Sequence, residues 1–214
     1  METGSDRHIQ VVPLGEDRAD EAAALMARAF KDDPWAVHSC PDPGERTRWL
    51  PWVFRPNAWQ GCLFGELLGT AGRLDGVAAA VSPNGGEFTE EDLARFGYGH
   101  GREAIGAEAW DRIMASAREA YRPAATVLHQ AMPEPHWYLE VIAVEPDQQG
   151  RGIGSALLEA IHARVDAGDV PIVLLTYQPK SLSLYRRHGY RIVREGTAPE
   201  CGPRWWGMRR DPRS

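Results

Sequence analysis

Hydrophobic and polar residues recur along this chain with two periods, and the back half carries them most cleanly. Trp137 to Val144 is a run of apolar, aromatic and β-branched residues with a single charge, Glu140, closed by Glu145-Pro146-Asp147. Such a run predicts a mostly buried strand that cannot continue past the proline. Beyond it, Ile153, Ala156, Leu157, Ala160, Ile161 and Val165 repeat at helical spacing, with Gly168 and Pro171 as stop signals. A helix therefore starts near Gly152. Ile172 to Thr176 predicts a short apolar strand, Ser181 to Arg187 a brief helix ended by His188-Gly189, and Tyr190 to Val193 and Arg204 to Met208 the last two strands.

The front half is more broken. Ile9 to Val12 predicts a strand, and Ala19 to Phe30 a helix with Glu16 or Asp17 as its cap and Ala22, Met26, Ala29 and Phe30 on one face. Lys31 to Trp35 and Cys40 to Gly44 are two breaker clusters bounding a short irregular segment suited to a pocket wall. Pro51 and Pro56 imply a broken or kinked helix over Glu45 to Trp59. Leu63 to Leu74 and Val77 to Val81 read as a hairpin turning at Asp75-Gly76. Thr89-Glu90-Glu91-Asp92 opens a helix as a capping sequence. Ile105 to Tyr121 and Pro123 to Met132 predict two more helices, with Met132 to Pro135 an extended lead into the central strand. Trp35, Trp49, Trp52 and Trp59 build either an aromatic-walled cleft or ordinary packing.

Composition narrows the class. The chain is 43% hydrophobic and 25% charged, with no run approaching a membrane span, as expected of a globular protein without a membrane partner. A net charge of −6 argues against a nucleic-acid footprint, and the Arg-rich end from Arg204 to Arg213 is too short to reverse that. The first ten residues lack the apolar core of a signal sequence, and Cys40, Cys62 and Cys201 are odd in number and unclustered, so a reducing cytoplasm is expected. His38, His129 and His136 lack catalytic or metal-ligand spacing, and no metal site is expected.

Chemistry concentrates in Gln149-Gly150-Arg151-Gly152-Ile153-Gly154, which joins the buried strand to its helix. Three glycines there keep side chains away from the first free N–H groups of a helix, whose donors and dipole attract anions. A P-loop would need Gly-Lys-Ser/Thr, which is absent. A dinucleotide fingerprint would need glycine at Ser155 and an acid ending the next strand, where Tyr177 and Gln178 stand instead. A plain strand-to-helix turn whose glycines only ease packing is the remaining alternative.

The pattern Val-x-Pro-x-x-Gln-x-x-Gly-x-Gly, filled by Val144, Pro146, Gln149, Gly152 and Gly154, resembles the GNAT superfamily of acyl-CoA N-acyltransferases. Leu184 to Tyr190, with Tyr185 four residues before Gly189 and an aromatic, is similar to a second block of that family. Ala29-Phe30, Asp33-Pro34, Pro41-Asp42 and Pro203-Arg204 before Trp206 and Met208 resemble its puromycin N-acetyltransferase type. The resemblance implies an α/β (α+β) GNAT fold: a mixed central sheet split by a V-shaped opening and flanked by helices. It implies one domain over residues 1–214, with a cofactor core at about 137–190 and substrate-side segments at about 31–60 and 84–132.

It further implies acetyl-CoA as cofactor. Ile142, Ala143 and Val144 would meet pantetheine with their backbone, while Gln149, Gly150, Arg151, Gly152, Ile153, Gly154 and Ser155 would hold the pyrophosphate. Arg151 either adds charge to the phosphates or is solvated at the helix start. Gln178 stands where many members carry asparagine, and with Ser181 completes the expected cofactor set. Tyr185 occupies the general-acid position. Glu140, the lone acid of its strand, shares a face with Tyr138 and Ile142 by two-residue alternation. It either receives the amine's proton or pairs with an arginine. A backbone N–H at Val144 or its neighbour would meet the oxyanion. The expected activity is acetyl transfer to a primary amine of a small, antibiotic- or nucleoside-like molecule by direct attack. The alternatives are a lysine or N-terminal protein acetyltransferase and a non-catalytic acyl-CoA-binding module, as a monomer or homodimer.

Overall fold

A computed structural model describes residues 9–132, 134–199 and 201–213. The chain opens with strand β1 (Val11–Pro13) and helices α1 (Ala19–Phe30), α2 (Pro34–Ser39) and α3 (Pro43–Phe64). Strands β2 (Gly65–Thr70) and β3 (Gly76–Val81) come next, then helices α4 (Glu90–Arg95), α5 (His100–Ile105) and α6 (Ala107–Gln130). The back half runs β4 (Trp137–Val144), α7 (Ile153–Asp166), β5 (Ile172–Thr176), α8 (Leu182–Arg187), β6 (Arg191–Thr197) and β7 (Arg204–Arg210). Boundaries of α1, β4 and β5 coincide with those expected from the sequence.

Several expectations are corrected. Residues 34–39 are helical rather than irregular. Asp33 caps them, its carboxylate accepting from the Trp35 N–H at 2.9 Å, and Pro34 takes the first-turn position where its missing N–H costs nothing. Neither Glu16 nor Asp17 caps α1; a 3₁₀ turn over Glu16–Arg18 leads into it. Helix α3 continues through both Pro51 and Pro56 and absorbs Leu63 and Phe64, and α6 continues through Pro123. Burial outweighs the lost hydrogen bonds: Trp49, Leu50, Phe54, Ala58 and Trp59 of α3 and Ala117, Ala120, Ala124 and Leu128 of α6 are all buried. Gly106, at φ +94°, separates α5 from α6, so Ile105 closes one helix instead of opening the next. The hairpin turns over five residues, Ala71 to Asp75, with the Thr70 hydroxyl accepting from Asp75 N–H at 2.8 Å and donating to the Arg73 carbonyl at 2.9 Å. The lead over Met132 to Pro135 includes Pro133, which lies outside the described residues, as do the first eight.

The seven strands form one mixed sheet in the order β1-β2-β3-β4-β5-β7-β6, with β4 and β5 the one parallel pair. One face packs on α1, α3 and α6 through Met26, Trp49, Leu50, Ile113, Val77, Ala79, Val141 and Ala143. The other packs on α7 through Leu68, Ala78, Leu139, Leu157, Leu158, Ile161, Leu174 and Met208. Helices on both faces of a mixed open sheet give the α/β GNAT-type fold that the sequence implied.

Two irregularities of β4 shape the interior of the sheet. Strand β5 pairs with it only at Trp137–Ile172, Tyr138–Val173 and Leu139–Leu174, so Glu140 to Val144 run on without a β5 partner and the sheet opens between them. On its other side, Ala79 faces Val141 while the adjacent Ala80 faces Leu139, which leaves Glu140 as the extra residue of a β-bulge.

Candidate active site

The opening between β4 and β5 leads into a cavity of about 750 Å³. Its floor is the turn into α7. Gly150 and Gly152 adopt φ of +79° and +86°, and a Cβ at either would meet nothing nearer than Ile9 Cδ1 at 3.7 Å, so left-handed backbone rather than crowding requires glycine. No side chain caps α7, which leaves its first N–H groups for a ligand.

Twelve of the thirteen cofactor residues expected from the sequence line this cavity: Ile142, Ala143, Val144, Gln149, Gly150, Gly152, Ile153, Gly154, Ser155, Gln178, Ser181 and Tyr185. Arg151 is exposed and stands outside the lining. The cations that do line it are Arg28, Lys31, Lys180 and Arg187. Gln149 turns its amide back to donate to the Val144 carbonyl at 3.2 Å, fixing the turn to the end of the strand. A glycine-lined helix start surrounded by four cations is chemistry that fits the pyrophosphate of acetyl-CoA.

A second cavity, of about 370 Å³, lies on the α3 and α6 side. The two share Phe30, Asp33, Ile142, Thr176 and Tyr185, so Tyr185 stands where one opens into the other. Aromatic walls come from Trp35, Phe54, Tyr121, Tyr138 and Tyr177. Of the four clustered tryptophans only Trp35 takes part; Trp49 is fully buried and Trp59 stacks on Phe96 in the core.

Glu140 faces this second cavity. The bulge breaks the expected alternation: Glu140 reaches α3, while Ile142 joins Leu139 on the α7 face. Its carboxylate accepts from Asn57 Nδ2 at 3.1 Å and has no arginine partner among the described residues. The surface it keeps is cavity wall, and burial pushes its pKa up to about 7, with the Asn57 hydrogen bond pulling the other way. Tyr138, on the same side, shares a hydrogen bond of 2.9 Å with Tyr121.

Tyr185 is buried, its ring edge-on to Tyr190 at 5.7 Å. Burial first, then the nearby Asp33 carboxylate, raises its phenol above the usual range, so it stays protonated. Asp33 itself is 7% exposed and pushed up to about 6 by burial, against the N–H groups of Trp35 and Ala36 and the charge of Lys180. Sequence reasoning assigned no site role to Asp33, Asn57, Lys180 or Arg187. Asp33 was legible as a turn residue before proline and as part of the family likeness, and nothing local marks Asn57.

Residues 103–192 match the family model described as an acetyltransferase (GNAT) domain. Among solved structures, the fold matches a Corynebacterium glutamicum protein described as a histone acetyltransferase HPA2 and related acetyltransferase, with TM-score 0.66 at 22% identity over 96% of this chain and 97% of that one. It also matches arylalkylamine N-acetyltransferase 2 of Aedes aegypti, with TM-score 0.60 at 13% identity over 97% and 100%. A third match is a ribosomal-protein alanine N-acetyltransferase of Escherichia coli, with TM-score 0.53 at 15% identity over 97% and 96%. At these identities the structures speak for the fold alone, and the matched domain model supports an acetyl-CoA-dependent N-acetyltransferase. The narrower puromycin-type likeness is not confirmed by them.

Proposed function

We propose that this protein moves the acetyl group of acetyl-CoA to the primary amine of a small molecule with an aromatic or nucleoside-like body. The observation that carries the reading is the meeting of an anion-binding cavity and a smaller aromatic one at Tyr185, with Glu140 on the wall of the second. When bound, acetyl-CoA supplies an acyl group activated as a thioester. The cavity beside α7 would hold its pyrophosphate, and the stretch Glu140 to Val144, without a partner on the β5 side, would offer backbone groups to its extended arm. Glu140, with a pKa of about 7, takes the proton that the amine nitrogen loses as it forms the new C–N bond. Tyr185 gives a proton to the sulfur as the C–S bond breaks, a role suited to a phenol that burial keeps protonated.

The acceptor class rests on the second cavity. At about 370 Å³, walled by seven aromatic side chains, Phe30 and Tyr185 among them, it suits a compact body rather than an extended peptide. The named neighbours include enzymes of both small amines and proteins, so their names do not choose. Three unpaired thiols, Cys40, Cys62 and Cys201, favour a reducing compartment.

Calorimetry with acetyl-CoA tests the cofactor. Gly152→Asp, which places both a carboxylate and an L-residue at φ +86°, should abolish binding. A wild-type protein that shows no saturable binding would remove the reading. A thiol-release screen over aromatic amines, aminonucleosides and lysine peptides then tests the acceptor: turnover of peptides alone refutes the small-molecule assignment, and binding without any turnover leaves an acyl-CoA-binding module.

A further inference from the structure

Ser155 is the third residue of α7 and lines the cofactor cavity, but its hydroxyl is already engaged: Oγ lies 3.1 Å from His188 Nε2. His188 is the residue that closes α8, its N–H bonded to the Leu184 and Tyr185 carbonyls at 3.3 and 3.0 Å. One side chain thus ties the helix that starts at the phosphate turn to the helix that carries Tyr185.

We propose that His188 is a positioning residue for the phosphate cradle, setting whether the Ser155 hydroxyl offers a proton or a lone pair to a bound pyrophosphate. A serine hydroxyl has one hydrogen. If Nε2 carries a proton, it donates to Oγ and leaves the hydroxyl hydrogen free to donate into the cavity. If the neutral ring is protonated at Nδ1 instead, Nε2 accepts that hydrogen and only lone pairs face the anion. Protonation of both ring nitrogens removes the second option and adds a positive charge behind the cradle.

The surroundings set the direction. Facing His188 are Glu159 and His162 of α7, Arg187 of α8, Arg210 of β7 and Arg213 beyond it. His162, whose Nε2 pairs with the Tyr190 hydroxyl at 3.0 Å, sits at 6.1 Å between ring centroids, and Asp166 binds Arg210 in a two-pronged ion pair. Burial, with Arg187, Arg213 and Arg210, outweighs Glu159 and keeps His188 below the usual histidine range, so it is neutral in the free protein near pH 7. A phosphate bound on Ser155 adds negative charge on the side of Glu159, against the three arginines. Linkage then requires that the ligand raise the titration point of His188 and that His188 protonation tighten the ligand by the same factor.

The inference rests on the acetyl-CoA reading of the cavity, and one set of measurements separates the two. The His188 titration is followed by NMR on the full chain with and without coenzyme A, and acetyl-CoA affinity is measured by calorimetry between pH 5.5 and 8 for wild type, His188→Gln and Ser155→Ala. The coenzyme should raise the His188 titration point, and each unit of rise corresponds to about a tenfold gain in wild-type affinity at low pH relative to the variants. His188→Gln should lose the share of the pH dependence that His188 contributes, and Ser155→Ala the part carried through the hydroxyl, both keeping the share of the coenzyme's phosphates and of Asp33. If His188→Gln does not fold, Ser155→Ala decides alone, since removing the hydroxyl link should make the ligand-driven rise smaller than in the wild type. A His188 titration unmoved by coenzyme A, with one pH profile for all three proteins, overturns the proposal and leaves a simple tie between helices. Failure of wild type to bind at any pH overturns the cofactor reading itself, and the inference with it.

Discussion

Asn57 offers the sharpest test of the Glu140 assignment, because it is the one side chain bonded to that carboxylate among the described residues. Asn57→Leu keeps the volume and removes the donor. A hydrogen bond to a charged group is worth about 1.5–3 kcal/mol, and one pH unit corresponds to about 1.4 kcal/mol, so the loss should raise Glu140 by about one to two units. The ascending limb of kcat/KM, set near 7 by burial in the wild type, should move to about 8–9. At pH 7 the ionised fraction falls from about half to between a tenth and a hundredth, a loss of about five- to fiftyfold. The two profiles should converge at high pH, where Glu140 is ionised in both and the raised Tyr185 phenol is still protonated. The assay needs a weakly basic aromatic amine, so that the substrate's own protonation lies below the window. An unmoved limb, or an equal loss at every pH, refutes Glu140 as the titrating base.

Three further outcomes rest on the same geometry. A buried carboxyl raised to about 7 from an ordinary 4.5 holds more protons folded than unfolded between those values, so its folded form loses stability as pH rises through that window. Glu140→Gln should therefore be more stable than wild type at pH 8, by on the order of 3 kcal/mol in urea unfolding, and no more stable below pH 4.5. Tyr185→Phe keeps the ring and should lower kcat by about 10²- to 10⁴-fold with acetyl-CoA affinity unchanged in calorimetry. Arg46, 7% exposed, donates to the Lys31, Cys40 and Pro41 carbonyls at 2.6, 2.6 and 2.9 Å, holding the segment that lines both cavities. Arg46→Met should cost about 3 kcal/mol in urea unfolding and raise KM for both substrates.

The back half of the chain was legible because its elements are dictated locally. An apolar run between a proline pair and a charged turn can only be a buried strand, and the glycines after it need backbone that other residues avoid. The front half was not, because α2, α3 and α6 are held by partners distant in sequence. Prolines at 51 and 56 read as a break or a kink, and Pro123 as the start of a new helix, until Trp49, Phe54 and Leu128 are seen buried on either side of them. The site divides the same way. The glycine turn is contiguous, and all its expected residues but Arg151 line the larger cavity, whereas the cations beside it, Lys180 and Arg187 among them, come from other elements. Glu140 was found as an acid out of place on the face of Tyr138, but the departure of Ile142 from that face depends on a bulge visible only in the pairing with Ala79 and Ala80.

The parting of β4 from β5 has a mechanical side. Four strands, β1 to β4, and three, β5 to β7, are stitched by just three facing pairs at Trp137, Tyr138 and Leu139. Past Leu139 the sheet has an edge in its own interior, shielded from other chains by the helices on either face, where an exposed edge would invite them. An extended molecule bearing amides can lie along that edge and take up hydrogen bonds that no strand of the protein supplies. The bound arm then acts as a removable eighth strand. Bound there, it would carry the hydrogen-bonded ladder across the gap that parts the two halves of the sheet past Leu139.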